Sequence, residues 1–211
     1  MRFKNAYADK FLSYDEFEVD RSTSEPLIND DIINFIIRVI LENKYERIVE
    51  IGAYDLKRSF HYKKLFPEIE VIGLDKISGF NAWGVKNGVE SGPFGHAWFE
   101  DHKGSNTLVV ACGTHSYFKP EELPGFFQIL FDNGYDLALA ELGSHFAKTV
   151  SLRRSHVSFY HPYSYLLSKG GFAVDGLIHP NHAFSLSAME RREYFLAKTV
   201  NIEGRKNLQD G

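Results

Sequence analysis

Gly52 closes a short run of β-branched residues, RIVEIG (47–52), and Asp75 closes a second, EVIGLD (70–75). A glycine at a strand end lets the chain turn sharply, so that backbone N–H groups can approach a ligand closely. A carboxylate at the tip of the next strand can accept hydrogen bonds from ribose hydroxyls. Either residue alone is an ordinary turn glycine or an ordinary acidic strand end; together, at this spacing, they favour a nucleoside ligand. Other chemistry-bearing residues fall at the ends of apolar runs: Glu50, Ala53 and Tyr54; Lys76; Cys112, Gly113, Thr114 and His115; Glu141, Gly143, Ser144 and His145; Asp175 and His179. An imidazole titrates near neutral pH, so His145 is a candidate general base, against a plainer reading in which it caps a helix or bonds a carbonyl. Glu141, His145, Asp175, His179 and His182 include the oxygen and imidazole donors that a divalent cation takes, but no adjacent pair has a diagnostic spacing, which weighs against a metal. Cys112 ends an apolar strand and reads as a small core residue rather than a nucleophile. His156 and His161, flanked by aromatics, read as structural.

Behind these residues stand alternating elements. Asn29 or Asp30 can cap a helix through Asn43, with Ile33, Ile36, Ile37, Ile40 and Leu41 on one face. The strand 47–52 follows, then a helix begun at Asp55 and stopped by Pro67, then the strand 70–75, which makes a βαβ unit. Residues 76–106 are rich in glycine and aromatics without a clear period, and are expected to be an insertion or lid. Alternation resumes with TLVVAC (107–112), a helix ending near Gly134, YDLALAEL (135–142), a helix to Lys169, FAVDGLI (172–178) and a last strand EYFLAKTV (193–200). The pattern predicts an α/β fold: a doubly wound, Rossmann-like, mostly parallel sheet with helices on both faces. Residues 1–25 read as an aromatic-bearing arm, 26–203 as the domain, and 204–211 as a frayed tail.

The chain has 211 residues, a formal net charge of −4 and one cysteine. A single domain of this size buries a sizeable core, and one cysteine excludes an intramolecular disulfide or a Cys-rich zinc site. No apolar run reaches membrane-spanning length and no signal-peptide core follows the start, so the sequence reads as a cytoplasmic protein. A mildly acidic balance offers nucleic acid no electrostatic footprint. The 18 Phe, 11 Tyr and 2 Trp exceed what such a chain needs, and could serve as core or line a pocket.

The segments VEIGAYDLKRSF, EVIGLD, YDLALAELGSH and YSYLLSKGGFAVDG together resemble class I S-adenosylmethionine-dependent methyltransferases, most nearly the small-molecule O-methyltransferase and cephalosporin-hydroxylase-like branch. The resemblance runs over about 45–180. It implies a methyltransferase-type fold and S-adenosylmethionine as cofactor, with Glu50, Gly52, Ala53 and Tyr54 in the methionine-side loop and Asp75 on the ribose. It further implies that Gly113 and Thr114 end a third strand near the adenine, that Glu141 belongs to the cofactor site, and that His145 lies near the reactive end. Two positions depart from the pattern. Leu56 stands where the family has its second loop glycine, which could narrow the groove. Leu142 stands where it has an aspartate, with Glu141 one residue earlier, which argues against a metal.

The resemblance thus implies methyl transfer to a small-molecule acceptor, by O-methylation. The residues of 76–106 leave two readings open: Phe80, Trp83, Phe94, His96, Trp98 and Phe99 cover an aromatic or apolar acceptor, or they belong to a surface loop and pack on the sheet edge or a second subunit. Homo-oligomers are compatible with the resemblance. The rivals are a degenerate relative that keeps the fold as a binding or scaffold domain, and a dinucleotide-binding oxidoreductase, disfavoured because no G-x-G-x-x-G follows the first strand.

Overall fold

A computed structural model describes residues 30–76, 82–102, 104, 106–144, 146–179 and 190–199. The arm 1–25, the tail 204–211, His145, His182, Phe80 and the side chain of Trp83 lie outside the described residues. In chain order the elements are α1 (Asp30–Glu42), β1 (Arg47–Ile51), α2 (Lys57–Leu65), β2 (Glu70–Asp75), α3 (Ala82–Lys86), β3 (Glu90–Pro93), α4 (His96–Asp101) and β4 (Thr107–Cys112). A 3-10 turn (His115–Tyr117) leads to α5 (Leu123–Asp132), β5 (Asp136–Ser144), β6 (Leu152–Arg153), β7 (Phe159–Tyr160), α6 (Tyr163–Lys169), β8 (Ala173–His179) and β9 (Glu190–Lys198).

Seven strands form one sheet in the order β3-β2-β1-β4-β5-β9-β8. From β3 to β5 all neighbours are parallel, while β9 runs antiparallel to both β5 and β8. The chain winds outward from β1 to β3 and then returns to place β4 on the other side of β1. That reversal opens a crevice at the carboxyl ends of β1 and β4, where ligands of doubly wound sheets bind.

Side-chain alternation divides the strands between two cores. Ile48, Val71, Leu108, Val110, Ala138 and Ala140 face α1 and α2, in a mostly aliphatic layer with Ile32, Ile36, Val39 and Ile40. The spacing of those four α1 residues is one buried helical stripe. Val49, Ile51, Ile72, Leu74, Val109, Leu137 and Leu139 face the other way, onto a layer dominated by Phe99, Phe118, Phe126, Phe127, Tyr135, Tyr163, Phe172 and Phe195.

Three expectations differ from the structure. First, the stretch 76–106, expected as an insertion or lid, supplies α3, α4 and the edge strand β3, which pairs with β2 from Ile72–Glu90 to Asp75–Pro93. The sequence ESGP has no apolar alternation because an edge strand pairs on one side only and is half open to solvent, and its proline sits where such strands tolerate one. Second, Phe94, Trp98 and Phe99, expected over an acceptor or on the sheet edge, belong to the aromatic core: Phe99 is fully buried and the other two pack against it. Phe94 meets Phe118 and Phe126 edge-on at 5.8 and 5.7 Å, an arrangement aromatic quadrupoles favour. Third, the helix ending at Lys169 begins only at Tyr163, after Pro162, and the hairpin β6–β7 precedes it.

Candidate active site

The glycine turn after β1 is held from two sides. Toward β2, the Gly52 and Ala53 amides donate to the Leu74 carbonyl at 2.8 and 3.2 Å, and the Tyr54 amide donates to Asp75 Oδ2 at 2.8 Å. Toward β4, Thr114 Oγ1 donates to the Ile51 carbonyl at 3.1 Å, and its side chain lies so close to Gly52 that a Cβ there would fall 2.2 Å from Oγ1. With a φ of +66°, Gly52 is required twice, by conformation and by contact. Tyr54 and Leu56 also take left-handed φ values of 50° and 62°. Two such non-glycine residues within one loop cost about 1 kcal/mol or more each and are found where surrounding structure enforces a functional shape.

Leu56 keeps the backbone conformation of a glycine but sends its side chain beneath the loop. It is fully buried with Ala53 and Val89, under Phe60. A Cβ on Gly73 would sit 1.9 Å from Leu56 Cδ2, and one on Gly84 would sit 2.2 Å from Leu56 Cβ, so two glycines make the room it fills. Its side chain is therefore part of the packed interior and not of the surface at the ends of the strands.

Glutamates are buried on both faces of the sheet: Glu50 on one, Glu141 and Glu193 on the other. Glu50 accepts from Arg58 Nε at 2.7 Å and from Ser59 Oγ at 2.6 Å, which ties β1 to α2. Glu141 Oε1 accepts from the backbone amides of Thr114 at 3.1 Å and His115 at 3.0 Å. Both carboxylates are fully buried, so their part in the site is to hold other elements rather than to meet solvent or ligand directly. Asp75, by contrast, is half-buried at the tip of β2, and Gly113, with φ +72°, has no atom within 4 Å of where a Cβ would point. A partly open carboxylate beside a left-handed turn, with space at the end of β4, suits a ribose and its base.

The loop from β4 continues into a buried polar cluster among the aromatic rings. His115 Nδ1 lies 3.2 Å from Glu141 Oε1, and its ring contacts Phe118, Phe126, Phe127 and Tyr163. Burial, then the carboxylates of Glu141 and Glu193, push the Tyr163 hydroxyl well above its ordinary range. His161 Nε2 lies 3.2 Å from the Phe118 carbonyl and Nδ1 lies 2.8 Å from Ser151 Oγ. A carbonyl can only accept, so Nε2 carries the hydrogen and Nδ1 accepts from the serine. Burial first, and then the neighbouring His115, push this imidazole down to about 4. Glu193 faces Glu141 across β5 and β9, and a Cβ on Gly143 would meet its carboxylate at 2.2–2.6 Å, so Gly143 is the space Glu193 occupies.

Gly52, Ala53, Tyr54, Asp75, Gly113 and Thr114 therefore converge at the ends of three adjacent strands, with Glu50 and Glu141 beneath them. Because β3 is counted, Gly113 and Thr114 end the fourth strand rather than a third, and that strand is the direct neighbour of β1. His145 lies outside the described residues. Of the donors weighed against a divalent cation, Glu141 is buried and Asp175 exposed, and among the described residues no group of three or more His, Cys, Asp or Glu could hold a metal ion. Cys112, read as a core residue, is only half-buried. Arg58, Ser59 and Glu193 were not singled out in the sequence; Glu193 was detectable, since it shares a period-two face with Phe195 and Ala197.

No protein-family model matches the sequence, and no curated protein is detectably similar to it. Solved structures do share the fold. Phosphoethanolamine N-methyltransferase 2 of Haemonchus contortus, in complex with phosphomonomethylethanolamine and S-adenosylhomocysteine, matches over 82% of this chain and 53% of its own, at 11% identity and a TM-score of 0.65. An S-adenosylmethionine-dependent methyltransferase of Clostridium acetobutylicum matches over 93% of this chain and 100% of its own, at 10% identity and a TM-score of 0.60. The N-terminal domain of EvdMO1, with S-adenosylhomocysteine bound, matches over 81% and 82%, at 13% identity and a TM-score of 0.60. The chain spans about half the length of the Haemonchus enzyme. The chain shares its fold with these S-adenosylmethionine-dependent methyltransferases.

Proposed function

We propose that the protein is an S-adenosylmethionine-dependent methyltransferase acting on a small-molecule acceptor. The observation that carries this reading is the turn Gly52–Tyr54, left-handed at both ends and bonded through the Tyr54 amide to Asp75. When bound, the cofactor supplies an electrophilic methyl group on a sulfonium sulfur. The chain's task is then to fix donor and acceptor in line, and the ends of β1, β2 and β4 are where it would hold the donor. Asp75 accepts from the ribose hydroxyls, and the space beside Gly113 takes the adenine. For a hydroxyl acceptor His145 is the candidate base, receiving the proton that the oxygen loses. Oxygen is the acceptor atom that the sequence resemblance favours, and because the Haemonchus neighbour is an N-methyltransferase, nitrogen is the second acceptor to test.

The test is a thermal shift with S-adenosylmethionine, S-adenosylhomocysteine and NAD, since a ligand bound only by the native state raises its stability. A rise with the first two and none with NAD is expected. No rise with either at millimolar concentration returns the protein to the scaffold reading. His145→Ala should then lower turnover while S-adenosylhomocysteine still binds; an unchanged rate removes His145 from the reaction.

A further inference from the structure

Glu141 has no access to a ligand, yet it is connected to the cofactor turn by a short chain of contacts. Its Oε1 holds the amides of Thr114 and His115 at 3.1 and 3.0 Å. Those two bonds fix the first residues after Gly113, whose φ of +72° starts the loop. Thr114, so held, turns its hydroxyl onto the Ile51 carbonyl at 3.1 Å and sets its side chain against Gly52. The turn that follows is the one whose Tyr54 amide meets Asp75. Hydrogen bonds from backbone amides to an ionised carboxylate are among the stronger ones, and a fully buried carboxylate has no water to exchange them for.

We propose that Glu141 is a positioning residue for the cofactor turn, acting through Thr114: its carboxylate sets the loop after β4, and Thr114 transmits that setting to Gly52–Tyr54. The proposal rests on the cofactor reading above only for its functional consequence. The coupling between the two loops is a property of the ligand-free protein.

The experiment combines amide hydrogen exchange of the ligand-free protein with calorimetric titration of S-adenosylhomocysteine, on Glu141→Leu, Glu141→Gln, Thr114→Val and the Glu141→Leu/Thr114→Val double variant. Exchange is read relative to the core amides of β1 and β4, which removes any global loss of stability. Glu141→Leu is expected to speed exchange at 113–115 and also at 52–54 by about tenfold or more, while Glu141→Gln, which keeps an acceptor oxygen, stays near wild type. Thr114→Val is expected to speed 52–54 alone. Affinity should fall in the same order, and the double variant should bind no more weakly than Glu141→Leu, because both act through one link.

Unchanged exchange at 52–54 in Glu141→Leu, or factors that simply multiply in the double variant, would overturn the coupling. If Glu141→Leu does not fold, Thr114→Val decides alone: it removes one hydroxyl and keeps the shape, and unchanged exchange at 52–54 overturns the proposal. If wild type fails to bind S-adenosylhomocysteine while the exchange pattern holds, the cofactor reading falls and the coupling stands.

Discussion

On the face covered by α1 and α2 the buried carboxylate is Glu50, and its partners are side chains of a helix. On the opposite, aromatic face two are buried, Glu141 and Glu193, and Glu141 holds two backbone amides of a loop. The difference separates two uses of an expensive group. Glu50 joins two layers of the fold and gives Arg58 a compensating charge; Glu141 holds the loop after β4, with His115 Nδ1 3.2 Å from its Oε1 and Glu193 opposite it on β9. The first use should be visible mainly as stability, the second mainly as geometry at the crevice.

Removing the two carboxylates is the sharpest way to break that contrast. Glu50→Ala leaves a partly buried guanidinium unpaired, and should cost about 3 kcal/mol in denaturant unfolding, near the lower end for a broken buried pair because Arg58 keeps some access to water. Glu141→Gln retains an acceptor for both amides and should cost about 1 kcal/mol. Equal losses would mean that the two carboxylates are not used differently.

The aromatic face should also be the more acid-sensitive. His161 titrates at an ordinary value of 6.5 in the unfolded chain and at about 4 in the folded one. Unfolded chains therefore bind the extra proton first, so stability is full above about pH 6.5 and falls on acidification, by about 3 kcal/mol at pH 4. Unfolding of His161→Gln followed between those limits should lack that part of the slope; an unaltered slope would place the acid-sensitive group elsewhere.

Packing under the turn gives the next effect. Gly73→Ala drives a methyl into Leu56, 1.9 Å from Cδ2, and should destabilise by about 2 kcal/mol. A smaller loss is expected in the aliphatic layer itself, where Ile36→Val removes one buried methylene for about 1 kcal/mol. If the second exceeds the first, Leu56 has freedom that its close neighbours do not suggest.

Much of this was legible in the chain. The strands 47–51, 70–75 and 107–112 announce themselves by apolar runs because they are buried on both faces, and Gly52 and Asp75 stand at their ends. The edge strand Glu90–Pro93 was hidden, since one-sided pairing imposes no such pattern, and its omission shifted the count of strands that places Gly113 and Thr114. The aromatic surplus was visible, but its use was not: composition is silent on whether Phe94, Trp98 and Phe99 turn to a ligand or to Phe126. The reach of Glu141 to Thr114, and the pocket that Gly73 and Gly84 open for Leu56, depend on contacts between distant segments, which no local pattern encodes. Nothing in the sequence marks Tyr54 and Leu56 as left-handed, because such residues rarely adopt that conformation.

On the proposed function, the turn after β1 and the carboxylate that ends β2 form one cofactor site. Its most direct test is calorimetric titration of S-adenosylhomocysteine into wild type and Asp75→Ala, with folding of both verified by circular dichroism. One-to-one binding to wild type is predicted, weakened about tenfold or more in Asp75→Ala, equivalent to about 1.4 kcal/mol of lost contact. Wild-type protein that takes up no S-adenosylhomocysteine, or an Asp75→Ala variant that binds it equally well, would contradict the account.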